Sequence, residues 1–236
     1  MLRILRYPPQ AFACVIALDT VKYAYVPQRI DTVKPPGDAC AMNPPEDLRR
    51  VVLEASLDLI KKEGLEALSM REVARRAGVS HQAPYHHFGD REGILVALAE
   101  EGFRRLTAEV AKAIGGAADP LARLEAAGTA YVMFALRNPA FFKIMFRSEL
   151  APLERHKEAH ERAETCFDLL VSAVADVAKA QGRPNDPALV IAAWSLAHGL
   201  ATLALEGKLE RFGKTWRPTS ANVAAVMRAF PGRLQE

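Results

Sequence analysis

Residues 68–95 constrain the fold of this chain more than any other segment, because they carry the signals of two short helices joined by a glycine-centred turn. Ser69 begins a Ser-x-x-Glu capping box, which predicts a helix start. Apolar residues then recur at helical spacing, and Gly78 can take the left-handed conformation that ends a helix. Ser80 is expected to cap the second helix, which we predict over residues 81–88.

The rest of the chain is also predicted to be helical. Residues 47–62 carry apolar side chains at i, i+3 and i+4 spacing, and Asp90 is a cap for a long fourth helix. Gly115-Gly116 is expected to end that helix, while Asp119-Pro120 and Asp186-Pro187 are expected to begin two others. We find no convincing strand pair and no internal repeat, so the predicted fold class is all-α.

Two short helices joined by a tight turn form a helix-turn-helix, which places its second helix in a DNA major groove. Residues 46–95 resemble the DNA-binding domain of TetR-family (tetracycline-repressor-like) transcriptional regulators. The matching residues are spread over the whole segment: the helix Asp47–Lys62, Gly64, Ser69, Glu72, Val73, Ala74, Ala77-Gly78-Val79-Ser80, Tyr85, His87, Phe88 and Asp90-Arg91-Glu92.

The resemblance implies a function and an organisation. We expect a sequence-specific regulator, most simply a repressor, that a small apolar effector ligand releases from a double-stranded DNA operator. The protein is expected to be a cytoplasmic homodimer, formed through its last two long helices, and not an enzyme. The expected domains are an N-terminal three-helix helix-turn-helix domain at 46–93 and a C-terminal helical ligand-binding and dimerisation domain at 94–236.

Side chains near the start of a recognition helix can reach base edges. Here Gln82 is suited to adenine, His81 to guanine, and the Ala83 methyl to thymine. The resemblance implies that Arg71, on the preceding helix, also reaches a base. It implies phosphate contacts for Ser69, Tyr85, His87 and Arg91. The predicted DNA surface also includes Ser80 and His86, which have no assigned contact.

The alternative is that Tyr85 and His87 only pack the short helix and that the polar residues are solvated. Bulk charge does not decide between the two, because residues 46–93 hold eight Lys/Arg against nine Asp/Glu. Phosphate binding must therefore come from the local placement of particular arginines, and these are Arg49, Arg71, Arg75, Arg76 and Arg91.

Aromatic and apolar side chains spread over several C-terminal helices, together with one histidine, are the candidate effector site. The sequence Trp194-x-x-x-His198-Gly199 resembles the Trp-His-Gly pattern of one subgroup of the family. The alternative is a filled core in which His198 is a hydrogen-bonded core histidine. The predicted ligand-binding residues are Phe103, Tyr131, Phe134, Phe142, Met145, Phe146, Phe167, Trp194 and His198.

Several other classes of protein find little support in the sequence. The cysteines are three and widely spaced, which favours a reducing compartment over a disulfide scaffold. No metal or other cofactor is expected, since His156 and His160 lack a third ligand. We expect no membrane partner, because no apolar run approaches the ~20 residues that span a bilayer.

Two questions stay open at this stage. Residues 1–45 are either a partly disordered extension or the result of a start set too early, in which case Met42 is the expected first residue. A helical DNA-associated or protein-interaction module without ligand control is the main functional alternative. A helical enzyme is a further alternative, but no convergent acid/base or metal set is visible.

Overall fold

The computed structural model describes residues 45–229, and the predicted N-terminal extension therefore lies almost wholly outside the described residues. Within that range the chain is helical and has no strand, as predicted. Short 3-10 turns occur at Leu65–Ala67, Leu153–Arg155 and Lys208–Thr215. The α-helices are α1 (Pro45–Glu63), α2 (Met70–Ala77), α3 (Gln82–Phe88), α4 (Arg91–Gly115), α5 (Pro120–Arg137), α6 (Pro139–Met145), α7 (Lys157–Ala180), α8 (Pro187–Leu205) and α9 (Ser220–Ala229).

Helix α2 begins and ends where the sequence predicts. The Ser69 hydroxyl accepts a hydrogen bond from the Glu72 backbone N–H at 3.3 Å, which satisfies one of the free donors of the first turn. Gly78 has φ +66° and ψ +32°, and its N–H donates to the carbonyls of Ala74 and Arg75. Because Gly has no Cβ, this left-handed ending carries no steric cost.

Helix α3 begins one residue later than predicted, at Gln82, so the assignment of Ser80 as its N-cap is wrong. His81 occupies the cap position with helical backbone angles and makes no side-chain capping bond. The Ser80 carbonyl instead accepts from the Ala83 N–H at 3.1 Å, which forms a turn ahead of the helix. The chain thus enters α3 through a backbone turn rather than through a hydroxyl cap.

The connection from α3 to α4 is tight. The Asp90 carboxylate accepts from the Gly93 N–H at 2.9 Å, which confirms Asp90 as the cap of α4. The Asp90 N–H donates to the Phe88 carbonyl at 2.9 Å. Gly93 lies so close to that carbonyl that a Cβ at this position would overlap its oxygen. The first turn of α4 therefore rests directly on the end of α3.

Helix α4 continues without a break through the predicted domain boundary at 93/94. One buried cluster follows it from the N-terminal helices into the C-terminal part, and includes Val52 and Leu59 of α1 as well as Phe103 and Leu106 of α4. Burial of such side chains contributes about 1.5–3 kcal/mol each. The two predicted domains thus share both a helix and a core.

In the C-terminal part, α4, α5 and α7 pack together, and α8 and α9 pack on α5. Asp119 and Asp186 cap α5 and α8 by accepting backbone N–H bonds at 2.9 Å, as the Asp-Pro pairs predict. Helix α7 begins at Lys157, after the 3-10 turn at Leu153–Arg155. Gly115 ends α4 as expected.

Helix α8 has 19 residues and contains no Asp, Glu, Lys or Arg. The expectation that no apolar run approaches bilayer-spanning length is therefore wrong, since by length and composition alone this helix could span one. Its Val190, Ala193 and Ala197 are buried in the protein, whereas Ile191 and Leu203 are 62% and 45% exposed. One side of α8 belongs to the core, and the opposite side is an uncovered apolar surface.

Candidate functional site

Helix α3 presents a polar surface and buries an apolar one. His81, Gln82 and His86 are exposed, and Tyr85 is 52% exposed. Pro84 is buried on the opposite side of the helix. An exposed row of hydrogen-bonding side chains on a short helix can meet base edges and phosphates. The structure thus brings these four predicted DNA-binding residues to one surface.

Two residues of the predicted DNA surface are less available. Ala83 is 8% exposed, so its predicted contact with a thymine methyl is wrong for this conformation. The sequence places Ala83 next to Gln82, but the helix turns it about 100° away and into the core. His87 is half-buried and makes edge contacts with the rings of His86 and Phe88, at centroid distances of 5.4 and 6.4 Å.

A carboxylate on α2 holds two arginines. Glu72 accepts hydrogen bonds from Arg75 at 2.6 and 2.9 Å and from Arg76 at 3.0 Å. These bonds lower the pKa of Glu72 to about 2. Arg76 also pairs with Glu63 and, at 3.5 Å, with Asp58 of α1. Glu72 and Arg76 therefore tie α2 to α1, and the half-buried Arg76 guanidinium is engaged by three carboxylates.

Arg49 and Arg91 are also engaged. The Arg49 guanidinium lies over the Phe88 ring, 5.3 Å from its centroid. Arg91, predicted to contact phosphate, donates from Nε to the Leu68 carbonyl and from Nη2 to the Leu65 carbonyl, both at 3.0 Å. The sequence indicates a cation at the start of α4, but it does not show that these carbonyls lie within reach.

Arg71 differs from the other arginines predicted to face DNA. It is exposed and pairs with none of the side chains that the structure describes. It lines a cleft of about 300 Å³ beside Ser69 and His81, with Glu72, Arg75 and Val79 completing the walls. A free guanidinium beside the amino end of α2 is a suitable environment for a phosphate or a base edge.

In the C-terminal part, five aromatic side chains and one histidine meet at a single place, which we call the His198 cluster. The His198 ring lies 5.0 Å from Phe146, 5.2 Å from Phe142, 6.0 Å from Trp194 and 6.3 Å from Tyr131, measured between ring centroids. The Phe167 ring contacts Trp194 at 5.8 Å. The cluster joins α5, α6, α7 and α8, and so brings together six of the predicted ligand-binding residues.

A short chain of hydrogen bonds runs through the His198 cluster. The Tyr131 hydroxyl lies 2.8 Å from Nδ1 of His198, and the Trp194 indole N–H bonds the same hydroxyl oxygen. Burial raises the pKa of Tyr131 well above its usual value and lowers the pKa of His198. A neutral His198 that carries its proton on Nε2 can therefore accept a hydrogen bond from the Tyr131 hydroxyl at Nδ1.

Two polar residues at the edge of this cluster were not predicted from the sequence. Cys166 of α7 hydrogen-bonds Thr107 of α4, and burial raises the pKa of its thiol to about 11. The cysteine lies close enough to Tyr131 to raise the pKa of that phenol as well. The only sequence signal for these two residues is that Thr107 and Cys166 lie on the apolar side of their helices. Neither residue belongs to a motif, so this position alone does not predict a site.

The other predicted ligand-binding residues lie in the core. Phe134 is fully buried, and Met145 packs against Gly102 of α4. Phe103 contacts the Phe146 ring at 5.5 Å and so joins the core to the His198 cluster. A separate groove of about 490 Å³ runs between α4, α5 and α9, and none of the predicted ligand-binding residues lines it.

His156 faces the carboxylate of Glu92 at 3.6 Å. Among residues 45–229, no three His, Cys, Asp or Glu side chains are grouped in a way that could hold a metal ion.

Comparison with known families gives two matches that follow one another along the chain. A model described as bacterial regulatory proteins of the tetR family matches residues 52–98. A second, described as the tetracyclin repressor-like C-terminal domain, matches residues 124–229. The first covers α2, α3 and most of α1, and the second covers most of α5 and continues to the end of α9.

Individual relatives agree with these matches. The HTH-type transcriptional regulator BetI of Rhizobium meliloti is 35% identical over 78 residues, which are 33% of this chain and 38% of BetI. The HTH-type regulator YobS of Bacillus subtilis, itself uncharacterized, is 25% identical over 69% of this chain and 82% of its own length. A solved structure from Rhodococcus sp. RHA1, of unknown function, is 37% identical with a TM-score of 0.66, covering 80% of this chain and 93% of that one.

Proposed function

Because the chain belongs to the tetR family of bacterial regulatory proteins, we propose that it is a sequence-specific DNA-binding repressor, released from its operator by a small apolar ligand. The observation that carries the proposal is the exposed polar surface of α3, with His81, Gln82 and Tyr85 outward and Pro84 inward. Such a helix can enter a major groove while its buried side stays in the protein.

The roles of the surface residues follow from their availability. Gln82 and His81 contact base edges, and Arg71 supplies a cation to the adjacent phosphate or base. Tyr85, Ser69, Ser80 and His86 complete the contacts from exposed positions. Ala83 is left out because it is buried.

Two copies of such a helix are needed for a two-fold operator, with half-sites about 34 Å apart. The uncovered apolar surface of α8, which includes Ile191 and Leu203, is the proposed dimer interface together with α9. Large apolar side chains exposed along one side of a helix are typical of a surface that a second copy covers. We therefore propose a homodimer, and its proposed binding to an operator places it in the cytoplasm.

The His198 cluster is the proposed effector site, in a conformation that the ligand opens. It joins four helices and contacts α4 through Thr107, so a ligand inserted there would shift the helices that carry the DNA-binding part. The groups it offers, chiefly Tyr131, Trp194 and a neutral His198, carry no formal charge. They suit an uncharged, mostly apolar molecule with one hydrogen-bonding group. The pattern ending in Gly199 supports placement in the Trp-His-Gly subgroup.

Selection of bound sequences from random duplex DNA tests the DNA-binding part of the proposal. The wild-type protein should enrich a short two-fold motif. Gln82→Ala should relax preference at one base pair of each half-site, costing about 1–3 kcal/mol of discrimination. Arg71→Ala should weaken binding, whereas the matched control Arg155→Ala, an exposed cation in the 3-10 turn before α7, should not. Enrichment of no motif by the wild-type protein would contradict the proposal.

The effector part is tested by a thermal-shift screen of uncharged apolar compounds. A compound that raises the Tm of the wild-type protein should also release the selected duplex, because it binds one conformation better than the other. The Tyr131→Phe variant should respond more weakly to compounds with a hydrogen-bonding group. Compounds that stabilise the protein without changing DNA affinity would favour a DNA-binding module without ligand control.

A further inference from the structure

Arg91 is the first residue of α4, yet its side chain points back to the connection between α1 and α2. Nε donates to the Leu68 carbonyl and Nη2 donates to the Leu65 carbonyl, each at 3.0 Å. Arg91 is half-buried, and Leu68 is 2% exposed. The two bonds come from two different nitrogens of one plane, which is the geometry of the guanidinium fork.

These bonds add a third attachment to a junction that already has two. The Asp90 N–H bond to the Phe88 carbonyl and the close approach of Gly93 to the same carbonyl join the first turn of α4 to α3. Arg91 joins the same turn to the 3-10 turn that precedes α2. The helix-turn-helix is thereby fixed to α4 from both of its sides.

We infer that Arg91 is a positioning residue, which sets the orientation of the helix-turn-helix on α4 and does not bind phosphate. The inference rests on the proposed DNA-binding function. A point charge is enough for a phosphate contact, so lysine would serve as well as arginine there. Lysine offers one ammonium nitrogen on a flexible stem in place of a rigid fork with donors on two atoms, so we expect it not to hold both carbonyls in this geometry. The Arg91→Lys variant therefore separates the two roles.

The test compares wild type, Arg91→Lys, Arg91→Ala and Arg71→Ala on a duplex selected with the wild-type protein, between about 50 and 200 mM salt. Both Arg91 variants should bind roughly tenfold more weakly, the effect of about one lost charge-assisted hydrogen bond. Their salt dependence should match that of the wild type. Arg71→Ala should instead reduce the salt slope by about one.

A second measurement reports the orientation, relative to α4, of α1, which packs against α2 and leads into the connection that Arg91 bonds. Spin labels are attached to genetically encoded amino acids that replace Lys61 of α1 and Lys112 of α4, both of which are exposed. Dilution with unlabelled protein leaves only the distance between the two labels within one chain. Arg91→Lys should broaden the distribution of this distance at a temperature where circular dichroism shows a fully folded protein. A role confined to overall stability would lower the Tm and leave this distribution unchanged.

The outcomes are distinct. Wild-type affinity and salt slope in Arg91→Lys, with a reduced slope in Arg91→Ala, would overturn the inference in favour of a phosphate contact. An unchanged distance distribution in Arg91→Lys would overturn it in favour of a purely stabilising role. If the wild-type protein selected no duplex, the proposed function would fail, while the distance measurement would still test the positioning role by itself.

Discussion

Gly93 gives a sharp test of the junction between α3 and α4. A Cβ at this position would overlap the Phe88 carbonyl oxygen and lie 3.0 Å from the carbonyl carbon. The obstacle is backbone, so rotation of a side chain cannot relieve it. The same carbonyl accepts the Asp90 N–H at 2.9 Å, so displacing it also strains the turn that caps α4.

We expect the Gly93→Ala variant to lose about 2 kcal/mol of unfolding free energy. Overpacking of this kind costs about 1–3 kcal/mol, and the clash with backbone places Gly93 at the upper end of that range. Alanine returns up to about 1 kcal/mol through its better helix propensity. For a chain of this size the net loss corresponds to a Tm lower by roughly 4–8 °C.

Thermal and urea denaturation of Gly93→Ala measure this loss, and Gly115→Ala is the matched control in the same helix. No atom lies within 4 Å of a Cβ at Gly115, so that variant should be neutral or slightly more stable. Gly93→Ala should also weaken DNA binding at temperatures where it is folded, because α3 is displaced from α4. Equal stability of the two variants would refute the reasoning from close approach.

Three other variants test the ion pairs and the His198 cluster. Tyr131→Phe removes the 2.8 Å hydrogen bond to His198 and should cost about 1 kcal/mol in urea denaturation, and an unchanged stability would contradict the bond. Burial lowers the pKa of His198 below its unfolded value. Its contribution to the free energy of unfolding is therefore complete above about pH 6.5 and is lost as the pH falls through that value towards the folded pKa. His198→Gln should flatten the dependence of unfolding free energy on pH in this range, and an unchanged dependence would show that His198 is not its cause. Glu72→Gln removes the ion pair with Arg75, and the freed guanidinium should raise the affinity for non-specific DNA roughly threefold at low salt. An unchanged affinity would show that Arg75 does not reach the phosphates.

Much of the architecture could be predicted because its signals are local. Four helix caps accept hydrogen bonds from backbone N–H groups only two or three residues further on, and these caps are Ser69, Asp90, Asp119 and Asp186. The neighbouring sequence is therefore enough to predict them. Ser80 has the same chemistry but does not cap, since the backbone turn at Ala83 already satisfies that N–H. A local rule fails where a competing local bond exists.

The site was only partly predictable because availability depends on distant partners. Arg71 and Arg91 are equivalent by residue type, yet one is free among the described side chains and the other donates to carbonyls more than 20 residues earlier in the chain. Ala83 shows the same limit, since its neighbour Gln82 is exposed and only the packing of α3 turns the alanine inward. Spacing along a helix indicates which residues share a face, but not which face meets another element.

The unbroken course of α4 has a mechanical consequence. A helix of 25 residues is about 37 Å long, and it carries the DNA-binding part at one end while the C-terminal helices grip the other. A tilt of α4 by about 5° about its C-terminal end therefore moves its N-terminal end by about 3 Å. In the proposed homodimer, opposite tilts of the two α4 helices would change the distance between the recognition helices by more than the rise of one base pair, with no hinge required.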